Sequence, residues 1–86
     1  TSQTLALYQY YACPFCVRTR RAMHRLNLPI ETRDVRKNAG FRKELLNGGG
    51  RIKTPCLRIE EKEQVHWLYD SKEIINYLHK RFGGQV

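Results

Sequence analysis

At 86 residues the chain is long enough for one small domain, expected over 1–86, with a single two- or three-layer core. No apolar run approaches the ~18 residues that span a bilayer, which excludes a membrane-spanning helix, and the odd count of three cysteines speaks against a disulfide-stapled secreted scaffold. The net charge of +8, from 16 Lys and Arg against 8 Asp and Glu, leaves two readings: a nucleic-acid surface, or a solvated surface that draws small anionic substrates. Paired zinc ligands, an aromatic-rich RNP stretch and basic heptads do not accompany the charge. The second reading is therefore taken, with neither nucleic acid nor membrane expected as a partner. Thr1-Ser2-Gln3-Thr4 has neither the basic nor the apolar segment of a signal peptide, so a cytoplasmic, reducing location is expected. The absence of a starting Met suits a trimmed chain or a piece of a longer protein.

Leu5-Ala6-Leu7-Tyr8-Gln9-Tyr10 is predicted as the first strand, short, apolar and aromatic. Tyr11-Ala12-Cys13-Pro14-Phe15-Cys16 follows, and a helix begins within it. Pro14 suits the first helical position, because the N–H it lacks would be unpaired there. Cys13 then lies at the helix mouth and Cys16 one turn in, on the same side. Unpaired N–H groups and the positive dipole end favour an anion at that mouth, so Cys13 is expected to be a low-pKa nucleophile. Cys16 is close enough to attack a mixed disulfide formed on it. The same spacing serves zinc sites, with His24, His66 and His79 as the other candidate ligands.

The helix is expected to run through 17–27, with Ala22, Met23 and Leu26 for burial and Arg18, Arg20, Arg21 and Arg25 on other faces. Asn27-Leu28-Pro29 ends it. Residues 30–35 read as a second strand. Asn38 caps a helix through Asn47 whose buried stripe is Phe41, Leu45 and Leu46, and Gly48-Gly49-Gly50 is expected to end it in a mobile loop. No Lys-Ser/Thr follows at P-loop spacing. Cys56-Leu57-Arg58-Ile59 and Gln64-Val65-His66-Trp67-Leu68 flank polar residues 60–63 and read as a β-hairpin. Asp70 caps the last helix, with Glu73 as capping-box partner and Ile74, Ile75, Leu78 and Phe82 along the buried face. The order β-α-β-α-β-β-α implies a right-handed parallel βαβ unit extended by an antiparallel hairpin. That is an α/β domain with a four-stranded mixed sheet and three helices.

Cys13-Pro14-Phe15-Cys16, after a strand and opening a helix, resembles the dithiol site of the glutaredoxins, within the thioredoxin-like fold. Phe15 stands where that family usually has Tyr. The resemblance covers about residues 4–82 and implies glutathione as co-substrate, with no metal. Pro55 opens the third strand, a position where proline is tolerated; locally it reads as trans, whereas the resemblance makes Thr54-Pro55 a cis bond beside the cysteines. Thr54 would then bind an extended, peptide-like ligand through its backbone. Lys53 departs from the usual Thr-Val-Pro and is free to pair with a carboxylate. Asp70-Ser71 is similar to the turn of glutathione transferases and transferase-like glutaredoxins, where it would hold the γ-glutamyl end; plain helix capping is the other reading. Tyr11 and Phe15 would form an aromatic rim near Cys13, with Arg18 or Lys53 adding positive charge.

The activity so implied is thiol–disulfide exchange: reduction of protein disulfides and glutathionylated proteins by Cys13 attack, with resolution by glutathione or Cys16. Two alternatives stand beside it. One is a glutathione-binding N-terminal module of a transferase-like protein. The other is an iron–sulfur carrier using Cys13, against which Pro14 speaks because the resembling cluster binders have Gly or Ser there. Cys56 is expected to point inward as a small buried hydrophobe, or, if exposed, to form regulatory disulfides.

Overall fold

The computed structural model describes residues 3–83. Strand β1 (Gln3–Gln9) divides its side chains between two faces, as the period of two demands. Leu5 and Leu7 point to one side, Ala6 and Tyr8 to the other. Helix α1 (Pro14–Arg25) returns the chain to β2 (Glu31–Asp34), which pairs parallel to β1. Helix α2 (Ala39–Gly49) leads to the hairpin of β3 (Cys56–Glu61) and β4 (Gln64–Tyr69), and α3 (Ser71–Phe82) closes the fold. The sheet order is β2-β1-β3-β4, with β3 antiparallel to both neighbours. This is the expected thioredoxin-like α/β arrangement.

The two faces carry separate cores. Met23 of α1 and Ile74 and Leu78 of α3 pack with Leu7, Leu57 and Ile59. Full burial of Leu7, Leu57, Ile74 and Leu78 stabilises by roughly 1.5–3 kcal/mol each. On the opposite face, Leu45 of α2 packs with Ala6, Tyr8, Val35 and Cys56, ringed by Tyr10, Phe41, Trp67 and Tyr69. Leu45 is the buried residue of α2, so the helix leans on polar contacts as well. The Tyr8 hydroxyl donates to Glu44 Oε1 at 2.7 Å, and Arg33 Nη1 donates to the Tyr8 oxygen at 2.7 Å. Arg33 also bonds Glu31 and Glu44, which ties β2, β1 and α2 together.

Several boundaries and faces differ from expectation. Helix α1 starts at Pro14 and stops at Arg25 rather than running to Asn27, because Asn27 turns to φ 58. The second strand is shorter than 30–35, and Val35 is buried beyond its end. Leu46 is exposed, one position round the helix from the Leu45 stripe, and Phe82 is exposed at the last turn of α3. Gly48 and Gly49 are helical, not a loop; Gly50, at φ 94, is the cap. They allow α2 to lie against β4: a Cβ on Gly48 would sit 2.1 Å from Trp67 Cζ2, and one on Gly49 2.0 Å from the Tyr69 hydroxyl. The hairpin turn shrinks to Lys62 and Glu63, since β3 extends through Glu61.

Candidate functional site

The end of β1 and the start of α1 meet at Cys13. Cys13 is the N-cap of α1, extended at φ −67 and ψ 120, with Pro14 behind it in the first turn. Its carbonyl takes the first helical bond from Val17 N at 2.9 Å, and its Sγ accepts from Cys16 N at 3.4 Å. A thiol here plays the part that Ser, Thr or Asp plays in an ordinary cap. Thr54 approaches from the loop before β3, its Oγ1 donating to Cys13 Sγ at 3.8 Å. The Thr54–Pro55 bond is cis, and Pro55 is buried.

The two thiols of the motif are unlike. Burial pushes the Cys13 thiol up, but bonds from the Cys16 side chain and backbone, Thr54 and the Phe15 backbone outweigh it and hold the thiol below its ordinary value. Cys16 is fully buried and pushed up to about 11, by burial first and by its bond to Cys13 second. Cys13 is therefore the thiol that ionises first. Cys56 is buried on the α2 side and pushed up to about 12 by burial, so the inward expectation holds. All three cysteines are free thiols.

Phe15, Lys53, Thr54, Pro55, Asp70 and Ser71 line one cavity of about 290 Å³. Five of the six singled-out binding residues thus come together, with Lys53 among them. Tyr11 does not join them. It is 77% exposed, lies under the Arg20 guanidinium at 5.3 Å, and lines a separate hollow with Asp34 and Lys37. The predicted aromatic rim is divided, because the turn at Tyr11 and Ala12 aims Tyr11 away from the helix mouth that carries Phe15. Arg18 is exposed and lines none of these cavities.

At the far wall, Asp70 caps α3 by accepting from Lys72 N at 3.0 Å. It sits at φ 79, outside the extended N-cap conformation, so the reciprocal bond expected from Glu73 is not made. Ser71 behind it is buried. The capping role is thus occupied by the carboxylate, while the cavity leaves the α3 mouth open to a ligand.

Sequence reasoning missed a second cavity, of about 540 Å³, on the other side of Thr54; Tyr10, Arg36, Arg42 and Ile52 are among its walls. Arg36 stacks over the Tyr10 ring at 5.0 Å, and neither it nor Arg42 is ion-paired among the described residues. No sequence signal distinguishes these two arginines from the rest. His24, His66 and His79 are exposed on α1, β4 and α3, and among the described residues no group of three His, Cys, Asp or Glu is placed to hold a metal.

Residues 7–85 match the N-terminal domain of glutathione S-transferase. Among solved structures, maleylacetoacetate isomerase from Anaeromyxobacter dehalogenans, with glutathione bound in its active site, aligns at TM-score 0.77 and 26% identity over 99% of this chain and 40% of that one. An epsilon-class glutathione S-transferase from Musca domestica aligns at TM-score 0.74 and 29% identity over 93% of this chain and 36% of its own. The thioredoxin-like protein BC3987 aligns at TM-score 0.61 and 26% identity over 71% of this chain and 89% of its own. The chain spans about 40% of the isomerase and less of the transferase. A comparison with curated proteins finds no match. With four-fifths of the chain and more inside the matched segment, the protein belongs to the glutathione S-transferase N-terminal domain family, on the thioredoxin-like fold.

Proposed function

We propose that the chain is the glutathione-binding domain of a transferase-like protein, and that Cys13 meets the sulfur of glutathione. One observation carries this reading: the lowered thiol of Cys13 is bonded to Thr54, and Thr54 is shared by two cavities. The first ends at the α3 mouth, where N–H groups and the helix dipole suit the γ-glutamyl carboxylate and Asp70 suits its ammonium. The second offers Arg36 and Arg42 to the glycine carboxylate. An extended tripeptide across Thr54 then brings its sulfur to Cys13. The family match and the glutathione-bound neighbour favour this module over a free-standing glutaredoxin.

The chemistry that follows is exchange at sulfur. Cys13 thiolate attacks the glutathionyl sulfur of a mixed disulfide; the substrate leaves as thiolate and takes a proton from water. Glutathione thiolate then attacks the same glutathionyl sulfur, releasing oxidised glutathione and restoring Cys13 thiolate. Cys16 supports a second reading, the dithiol reduction of protein disulfides, because it lies one turn from Cys13 on the same helix. The test is intact-mass analysis with oxidised glutathione, then turnover of a glutathionylated peptide. Cys16→Ser is expected to take up one glutathionyl group and keep turnover, and Cys13→Ser to do neither. Wild-type protein that neither acquires glutathione nor binds it in calorimetry refutes the reading. Loss of peptide turnover in Cys16→Ser moves the assignment to the dithiol route.

A further inference from the structure

Arg20, on the second turn of α1, reaches back along the turn that leads into its own helix. Its Nη1 donates to Gln9 Oε1 and to the Tyr10 carbonyl at 3.5 Å, and its Nη2 donates to the Tyr11 carbonyl at 2.9 Å. The guanidinium plane also covers the Tyr11 ring, 5.3 Å from its centroid. Gln9 is the last residue of β1 and is 6% exposed. The Tyr10 carbonyl is shared: it accepts the Cys13 N–H at 3.3 Å as well. One planar fork therefore joins the end of β1, both tyrosine carbonyls and the body of α1.

We propose that Arg20 is a positioning residue for Cys13, fixing the turn at residues 10–12 so that the sulfur stays on the N–H groups of the helix mouth. The inference rests on Cys13 as the reacting thiol. Cys13 Sγ reaches Cys16 N only while its backbone keeps the cap dihedrals of φ −67 and ψ 120. Those dihedrals follow from where the turn delivers the chain. Arg20 acts through the two carbonyls rather than as a charge, since the groups that act on the Cys13 sulfur are Cys16, Thr54 and the Phe15 backbone. A lysine keeps the charge but presents a single point of donation, which does not span two successive carbonyls. Cys16 is the titratable neighbour of Cys13 on α1, and Thr54 faces it from the loop before β3.

The test is the pH profile of iodoacetamide alkylation of Cys13, read by intact mass on the full chain. Wild type is compared with Arg20→Lys, Arg20→Ala and, as a control on the same helix, Arg18→Ala. Both Arg20 variants are expected to move the alkylation midpoint to higher pH and to slow alkylation at pH 7 by on the order of threefold or more. Arg18→Ala is expected to follow wild type. Circular dichroism checks each fold, and Arg20→Lys decides the matter if Arg20→Ala does not fold. A wild-type profile in folded Arg20→Lys overturns the inference, because charge alone then suffices. A wild-type midpoint in the ordinary thiol range is a different failure: it removes Cys13 as the low-pKa nucleophile, and the role of Arg20 with it.

Discussion

Replacing Gly48 by alanine sets helix propensity against packing, and the two predict opposite signs. Alanine in the body of a helix is favoured over glycine by about 1 kcal/mol, so propensity alone predicts a more stable protein. The added Cβ, however, would lie 2.1, 2.6 and 2.8 Å from Trp67 Cζ2, Cε2 and Cη2. Carbon atoms in contact stand about 3.5–4.0 Å apart, so the overlap is roughly 1.5 Å and involves a rigid ring rather than the tip of a flexible chain. The indole is not free to retreat: it tilts against Tyr8 at 5.4 Å and is covered by Arg58 at 5.8 Å. Overpacking of this kind costs about 1–3 kcal/mol, and lifting α2 instead would uncover Leu45, its one fully buried side chain. The net expectation is destabilisation by about 0–2 kcal/mol, a drop in urea midpoint of up to the order of 1 M. Trp67 is the sole tryptophan, so its fluorescence reports both the unfolding and the displaced ring. Asn47→Ala, exposed on the same turn, serves as the propensity control and is expected to raise the midpoint slightly. If Gly48→Ala raises it too, α2 is not seated on β4 and the helical assignment of the glycines fails.

Three further outcomes follow from named contacts. Lys62 holds φ 56 in the β3–β4 turn, so Lys62→Gly is expected to stabilise by about 0.5–1 kcal/mol in thermal unfolding; an unchanged midpoint contradicts a strained turn. The Cys56 thiol is pushed to about 12 from 9.0, so the fold favours its protonated form; that contribution is complete below pH 9 and is lost as pH rises toward 12. Urea midpoints measured across that range are expected to fall less steeply in Cys56→Ala, and equal slopes would show the thiol is not buried. Thr54→Val keeps the shape but removes the donor to Cys13 Sγ, and is expected to slow alkylation of Cys13 at pH 7 by roughly two- to fivefold without loss of fold.

The order of elements was legible because the strands other than the wholly polar β2 carry apolar or aromatic side chains alternating between two faces, and each helix carries its own cap. Leu5 and Leu7 against Ala6 and Tyr8 illustrate the first, and Asn38 accepting from Gly40 N and Phe41 N the second. The end of α2 was not legible, since three glycines in a row stop a helix on any local rule. What keeps Gly48 and Gly49 helical lies some twenty residues on, in the aromatic side chains of Trp67 and Tyr69. A paired signal was present, two glycines and two large residues on one face of a later strand, but it becomes readable only when the sheet order is known. At the candidate site, Cys13, Thr54, Asp70 and Ser71 could be singled out from the sequence because motif chemistry marks them. Arg20, Arg36 and Arg42 were not, because a guanidinium's role depends on which loop folds back to meet it, and this chain has arginines on nearly every exposed face.

In the proposed dithiol route, the helix register also bears on the order in which the two thiols would act. Cys13 and Cys16 belong to one turn, yet Cys16 N is a donor to Cys13 Sγ, so the second cysteine stabilises charge on the first. The reverse holds for Cys16: after burial, what raises its thiol to about 11 is the bond to Cys13 and the charge there. When Cys13 passes into a mixed disulfide its charge is gone, and two of the three causes that hold the Cys16 proton vanish while burial stays. On that route Cys16 would be easier to ionise once its target sulfur is present than before. Cys13→Ala imitates that state. Alkylation of Cys16 in this variant, followed under mild urea to grant access, is expected to have its midpoint below that of wild type. An unchanged midpoint would mean that burial alone holds the Cys16 proton, and that resolution by Cys16 needs the helix to open rather than the first step to occur.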